Sequence, residues 1–267
     1  MVPPSDWLVP DWPVPPGIRA VFTTRAGGVS AAPFDSFNLG DHVRDDPASV
    51  AANRERLRQA TGARPVFLRQ VHGLAVAPLD GATPDGTEAD ACVSGQAGQA
   101  CTVMVADCLP VLWCRADGIR VGASHAGWRG LAGEGGRGIL EATFDAMVHD
   151  LPVRDRPAAA RDLRVWLGPC IGPRAFEVGT EVREVFVAHQ PAAQACFQAM
   201  AAPGKYLADL PALARLRLQA LGIAQVHGND GSDGWCTVTQ SSRFFSHRRD
   251  AARLGSTGRM AACIWRD

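Results

Sequence analysis

The sequence predicts an α/β domain in which a mixed β-sheet is covered by helices. Three observations carry that prediction. Short apolar runs such as "ACTVMVADCLPVLWC" and "RMAACIW" read as buried strands. Segments of helical periodicity fall between such runs at irregular intervals, without the regular strand–helix alternation of a doubly wound parallel sheet. The 267 residues, 46% of them apolar, suffice for a sizeable core, and no repeat or low-complexity linker divides them.

Taken in order, "RAVFTTR" (19–25) and "RPVFLRQVHG" (64–73) read as strands. The segment "DDPASVAANRERLRQATG" between them reads as a helix, with Asp46 as its cap, Pro47 in its first turn and Gly62 at its end. The runs "ACTVMVADCLPVLWC" and "GIRVGASHAG" are joined by "RADG", whose Asp117-Gly118 pair signals a hairpin turn. As antiparallel neighbours, these runs would bring Cys108 and His125 to the same end of a sheet. Ile139, Leu140, Phe144, Met147 and Val148 recur at helical spacing after "GWRG". The nearest thing to a linker, "VRDRPAAARD" (153–162), is too short to impose a domain boundary. A strand in "LRVWLGP", helices through "TEVREVFVAH" and "LPALARLRLQALGI", and a closing strand in "RMAACIW" complete the reading.

Charge and cysteine usage narrow the function. With 27 basic and 27 acidic side chains the net charge is zero, which argues against a surface built for nucleic acid or anionic membrane and favours small-molecule chemistry. The opening "MVPPSDWLVPDWPVPPG" lacks a basic n-region and a continuous apolar h-region, and no stretch approaches the ~20 apolar residues of a membrane span. A cytoplasmic protein is expected. Eight cysteines without any CxxC pair fit reduced thiols better than a disulfide framework or a zinc ribbon. Neither GxxxxGK[ST] nor a strand-linked GxGxxG occurs, which removes the usual nucleotide-binding loops. Nothing in the sequence fixes an oligomeric state.

Three candidates stand at the ends of strand-like runs: His72, Cys108 and His125. A thiolate with two imidazoles suits a catalytic zinc site with one open position. The same donors suit copper, and a metal-free Cys-His nucleophile is the third option. Spacing alone leaves all three open. Cys92, Cys101, Cys114 and Cys263 lie within apolar runs and read as small buried hydrophobes. Cys170 in "GPCIGP" and Cys236 in "WCTV" rank below Cys108 as cleft residues. His149 and His189, near helix ends, read as structural. Arg25, Arg129, Arg248 and Arg249 are anion-binding candidates, because their guanidinium forks match phosphate geometry.

The motifs "FTTRAGGVS", "FNLG", "VRDDPASVAANR", "QVHG", "EADACVS", "VADCLPVLW", "SHAGWRG", "LGPCIGPRAFEVG", "KYLADL" and "FFSHRRD" followed by "TGRMAACIW" occur in one order. In these the chain resembles the laccase-domain family, also called polyphenol oxidase or peptidoglycan editing factor proteins, from about residue 18 onward. The resemblance implies a single-domain α/β sandwich over residues 18–267, with residues 1–17 as an N-terminal extension. It also implies zinc, with copper as the alternative, held by His72, Cys108 and His125. The implied activity is phosphorolysis of adenosine, inosine and S-methyl-5′-thioadenosine, together with adenosine deamination. Copper-dependent phenol oxidation, a metal-free Cys-His hydrolase and peptidoglycan-precursor editing are the alternatives.

On this reading a purine nucleoside and phosphate enter a cleft formed around "FNLG", "GWRG" and "SHRR". Arg25 and Arg248 position the anion, and Asn38 and Gln70 hydrogen-bond the base or ribose. Asp107 either assists a ligand or proton transfer, or braces its strand end. The sequence also weighs against two chemistries. A multicopper oxidase draws its clustered ligands from HxH pairs, and the chain has none. The H-x-E…P-C-x-x-C signature of cytidine-type zinc deaminases is also missing.

Overall fold

The structure is a computed structural model that describes residues 4–267. Its first half runs β1 (Ile18–Phe22), α1 (Pro47–Thr61), β2 (Arg64–Phe67), β3 (Val76–Leu79), β4 (Ala91–Ser94), β5 (Gln99–Val105), β6 (Leu109–Cys114) and β7 (Val121–Ala126). There follow α2 (Trp128–Ala132), α3 (Ile139–Met147), α4 (Arg156–Asp162), β8 (Arg164–Leu167), β9 (Glu177–Gly179) and α5 (Thr180–His189). The chain closes with β10 (Phe197–Ala199), β11 (Lys205–Ala208), α6 (Leu210–Ala220), β12 (Gln225–Gly228), α7 (His247–Leu254) and β13 (Met260–Arg266).

Two mixed sheets face each other, where the sequence reading expected one. The first has the order β1-β13-β5-β2, with β2 parallel to β5 and the other pairs antiparallel. The second has the order β12-β8-β6-β7-β4-β3, with parallel pairs at both edges and antiparallel pairs between. A small antiparallel ribbon, β10-β11-β9, stands apart from both.

Strand β13 explains how one apolar run serves two cores. Met260, Ala262 and Ile264 point between the sheets, toward Phe22, Leu112 and Trp166, while Ala261, Cys263 and Trp265 join Leu57 of α1 on the outer face. Period-two alternation with both faces buried leaves no polar position, hence "MAACIW". On the far side, Val111 and Trp113 of β6 pack with Leu140 of α3 and Leu218 of α6. The layers are therefore helix, sheet, sheet, helices: the α/β sandwich that the resemblance implied.

Local signals are honoured where they are local. Asp46 accepts from the backbone N–H groups of Ala48 and Ser49, and Gly62, at φ 68°, closes α1 with a bond to the Arg58 carbonyl. The "RADG" turn joins β6 to β7 in a register that sets Pro110 opposite His125. Segment 153–162 is no linker: it forms a turn and α4, with Pro157 in the first turn and Ala160 buried. Within the first seventeen residues, Trp7 and Trp12 are buried, and Leu8 exchanges backbone hydrogen bonds with Phe22. No helix among the described residues is long and apolar enough to cross a membrane.

The run "ACTVMVADCLPVLWC" departs from expectation. It is two strands in two sheets, β5 in the first and β6 in the second. The break falls at Asp107, at φ 93°, a backbone region most side chains avoid. Its carboxylate is doubly engaged, accepting from Thr237 Oγ1 at 2.6 Å and from the Arg248 backbone N–H at 2.6 Å. Hydrophobic periodicity carries no mark of such a crossover, because both strands are buried.

The loop before α1 is organised by Asn53, which is fully buried. Its amide donates to Ser30 Oγ, the Ser36 carbonyl and the Asn38 carbonyl, and accepts from the Val29 backbone N–H. Replacing it leaves several buried groups without partners. Asn53→Ala is expected to lower the unfolding free energy by roughly 3 kcal/mol in urea denaturation, with the far-ultraviolet spectrum of the folded state unchanged.

Candidate active site

Each of the three candidate donors reaches one point by a different route. Cys108 is the residue between the Asp107 crossover and β6. His125 lies in β7, beside it through the hairpin register. His72 arrives from the loop after β2, in the left-handed region at φ 60°. The His72 Nε2 stands 3.6 Å from Cys108 Sγ, the two imidazole rings are 4.7 Å apart at 68°, and the three ligand atoms all lie within 4.8 Å of one another.

A buried carboxylate holds the two histidines together. Asp90 Oδ1 pairs with His125 Nδ1 at 2.8 Å and accepts from the His72 backbone N–H at 2.9 Å. Its Oδ2 accepts from the N–H groups of Val71 and Gly73 at 3.0 and 2.7 Å. Three successive amides wrapped on one carboxylate stabilise the unusual backbone at His72. The bond to Nδ1 leaves the His125 Nε2 as the free donor.

Gly127 sets the closeness. A Cβ there would stand 2.8 Å from His72 Cδ2 and 2.9 Å from Cys108 Sγ, so only glycine lets the backbone pass under the donors.

This donor set fits a metal ion. Tetrahedral zinc, with bonds of about 2.0–2.3 Å, needs ligand atoms roughly 3.3–3.7 Å apart, and the separation of Cys108 Sγ from His72 Nε2, 3.6 Å, falls there. His72, Cys108 and His125 could thus hold an ion with one position left open. Without an ion, the thiol and the His125 imidazole each favour the charged form of the other. Burial opposes the Cys108 thiolate, yet His125 and His72 together bring the thiol down to about 6. Burial likewise opposes charge on His125, and the thiolate with Asp90 raises it to about 9.

The donors sit at the floor of a cleft of about 510 Å³. Met104, Ile171, Phe176 and Leu210 supply apolar walls, and Arg129, Arg248 and Arg259 supply positive charge. Arg129 lies over the Trp128 ring at 4.4 Å. Arg248 donates from both amino groups to the Glu177 carbonyl at 3.2 Å.

Four of the residues expected to touch ligand meet different fates. Arg248 lines the cleft as expected. Gln70 also lines it, but its amide is engaged at both ends by the Met104 backbone at 2.8 Å. The cleft placement expected for Arg25 and Asn38 is corrected. Arg25 bonds the carbonyls of Asp35 and Ser241 and pairs with Asp35 at 3.3 Å, bracing two loops outside the cleft. Asn38 is fully buried, accepting from Gly40 and Arg259 and donating to the Gly40 carbonyl and Asp45. Arg249 is likewise held, by Asp250 and by the carbonyls of Thr237, Val238 and Phe244. Cys170 and Cys236 are buried against each other, outside the cleft.

Sequence reasoning passed over Asp90 and Arg259. Each had one signal, a charge at the entry to an apolar strand: "ADACVS" for the first and "GRMAACIW" for the second.

Comparison with known proteins gives a consistent picture. Residues 19–267 match the family described as multi-copper polyphenol oxidoreductase laccase. Purine nucleoside phosphorylase PA4543 of Pseudomonas aeruginosa is 49% identical over 259 residues, covering 97% of this chain and 98% of that protein. Purine nucleoside phosphorylase YfiH of Escherichia coli is 47% identical over 263 residues, covering 98% and 99%. Among solved structures, the Neisseria meningitidis protein NMB0706 superposes with a TM-score of 0.87 at 42% identity, covering 98% of this chain and all of that one. YlmD of Geobacillus stearothermophilus gives 0.82 at 32%, covering 97% and 96%.

Two outcomes test the site. Asp90→Asn places an amide against three N–H donors and is expected to weaken zinc binding by about 10–100-fold in competition with a chromogenic chelator. In the chelated protein, iodoacetamide should label Cys108 first, with a rate that rises through pH 6 and falls away below it as the thiolate is protonated. Cys114 and Cys263, pushed up to about 12 by burial, should stay inert at that pH, and added zinc should protect Cys108.

Proposed function

The chain belongs to the multi-copper polyphenol oxidoreductase laccase family, and on that footing we propose that it is a zinc-dependent purine nucleoside phosphorylase. The substrates proposed are adenosine, inosine and S-methyl-5′-thioadenosine, with adenosine deamination as a second activity. One observation carries the reading: a His-Cys-His donor group and three arginines line a single cleft of a size suited to a nucleoside with phosphate. That relatives sharing nearly half of its residues are named purine nucleoside phosphorylases supports it.

In phosphorolysis a phosphate oxygen bonds to the anomeric carbon while the bond to the purine nitrogen breaks, and the departing base takes a proton. The positive charge of the cleft draws the dianion toward the sugar, and the apolar walls exclude water that would otherwise hydrolyse the same bond. His247 lines the cleft outside the donor set and is the residue proposed to protonate the leaving purine. Asp90 holds the His125 ring through its Nδ1 and the His72 loop through its backbone N–H. When bound, the ion supplies Lewis-acid polarisation to a ligand atom at its open position. Deamination exchanges the C6 amine for oxygen from water with loss of ammonia, and the same cleft would orient adenosine for it.

A second reading draws on one observation. The Cys108 thiolate beside a protonated His125 is also the resting state of a metal-free cysteine nucleophile. Chelation separates the two, since only the nucleophile survives it. Multicopper oxidation finds less support, because the described residues offer one three-donor group rather than a blue-copper centre with a separate cluster.

The test measures adenine and hypoxanthine released from adenosine with and without phosphate. Phosphate-dependent adenine is expected from the zinc-loaded protein. Cys108→Ala and His125→Ala should each lower kcat/KM by about two orders of magnitude or more, and chelation should do the same to the unaltered protein. Unchanged turnover in His125→Ala would remove the site from the reaction.

A further inference from the structure

Among the cationic side chains of the cleft, Arg259 has the least explained environment. It precedes β13 and is partly buried, and the nearest anionic groups that act on it are Cys108 and Asp107, neither of them paired with it. Buried charges ordinarily meet an opposite charge. Arg115, Arg217 and Arg249, which are also sheltered, each have a carboxylate, at 2.9, 2.8 and 2.7 Å. Arg259 has none within ion-pair distance among the described residues. One amino group donates to the carbonyls of Thr257 and Gly258 at 3.0 and 3.1 Å. Its Nε and second amino group have no protein acceptor among the described residues, and the side chain lines the cleft that holds Cys108.

The chain also goes to some length to place this side chain. Asn38 Oδ1 accepts the Arg259 backbone N–H at 2.8 Å, and the Arg259 carbonyl accepts the Leu39 N–H at 3.1 Å. Gly40 makes room for the stem, because a Cβ there would come within 2.7 Å of Arg259 Cγ. The "FNLG" motif therefore acts on the cleft through Arg259 rather than by touching a ligand itself. His42 follows on the same loop and lines the same cleft. Burial and the Arg259 guanidinium hold its imidazole below the ordinary range, against the pull of Asp41.

Resting on the phosphorylase reading, we infer that Arg259 is the residue that binds the inorganic phosphate co-substrate, and that Asn38 and Gly40 are its positioning residues. A guanidinium with two unengaged donor positions presents the planar fork that a phosphate dianion accepts in pairs. Arg248, tied to the Glu177 carbonyl, and Arg129, exposed over Trp128, hold the rim.

Kinetics of Arg259→Gln, Arg259→Lys and Gly40→Ala test this. Arg259→Gln should raise the phosphate KM roughly tenfold or more, leaving the nucleoside KM and zinc content near those of the unaltered protein. Arg259→Lys, which keeps charge but not the fork, should recover part of that loss, and Gly40→Ala should reproduce it in a protein that retains Arg259. An unchanged phosphate KM in active Arg259→Gln would overturn the inference, as would an equal rise in both KM values. So would an Arg259-dependent affinity for adenosine 5′-monophosphate in place of free phosphate. If the unaltered protein releases no purine, the phosphorylase reading fails by itself, and calorimetric titration with inorganic phosphate then decides about Arg259. Binding lost in Arg259→Gln supports the assignment, and binding that persists there, or is absent from the unaltered protein, overturns it.

Discussion

Everything at the cleft depends on the chain changing sheets at Asp107. A strand buried on both faces has no reason in its own sequence to stop, and β5 and β6 are both such strands. What stops the first is a residue held in an unfavourable backbone conformation by two bonds from its carboxylate. Those partners come from the distant segment that leads into α7, so the crossover closes only when the C-terminal part of the chain docks. Cys108 is thereby delivered to the seam between the sheets, where a continuous strand would have buried it in one of them.

Convergence of the donors then needs a second constraint, because side chains crowded around a polar point would otherwise relax apart. Burying the Asp90 carboxylate is costly unless it is fully bonded. Three backbone amides and an imidazole satisfy it, and every one of those groups belongs to the His72 loop or to His125. The cost of releasing either histidine is an unpaired buried charge. Gly127 completes the arrangement by removing the one side chain that would force the thiolate and the His72 ring apart.

Much of this was legible, and what was not has physical reasons. The ends of α1 were readable because capping is decided within four residues of the terminus, and Asp46, Pro47 and Gly62 do what their chemistry dictates. The proximity of Cys108 and His125 followed from a two-residue turn signal. The meeting of His72 with them did not, since β2 joins β5 in a parallel pair whose register no local signal sets. The second sheet went unseen because Asp107 marks where β5 ends but carries no sign that β6 joins a different sheet. Arg25 and Asn38 were misjudged for another reason. A polar side chain in a glycine-rich loop looks free in sequence, but such loops need bracing, and both residues are consumed by it. Asp90 and Arg259 were overlooked because a charge beside an apolar strand resembles ordinary strand punctuation.

The location of the donors at the seam has an outcome beyond chemistry. His72 hangs from the first sheet and His125 belongs to the second, so an ion gripped by both is a rivet through the sandwich. Whatever binds only the folded chain resists its opening.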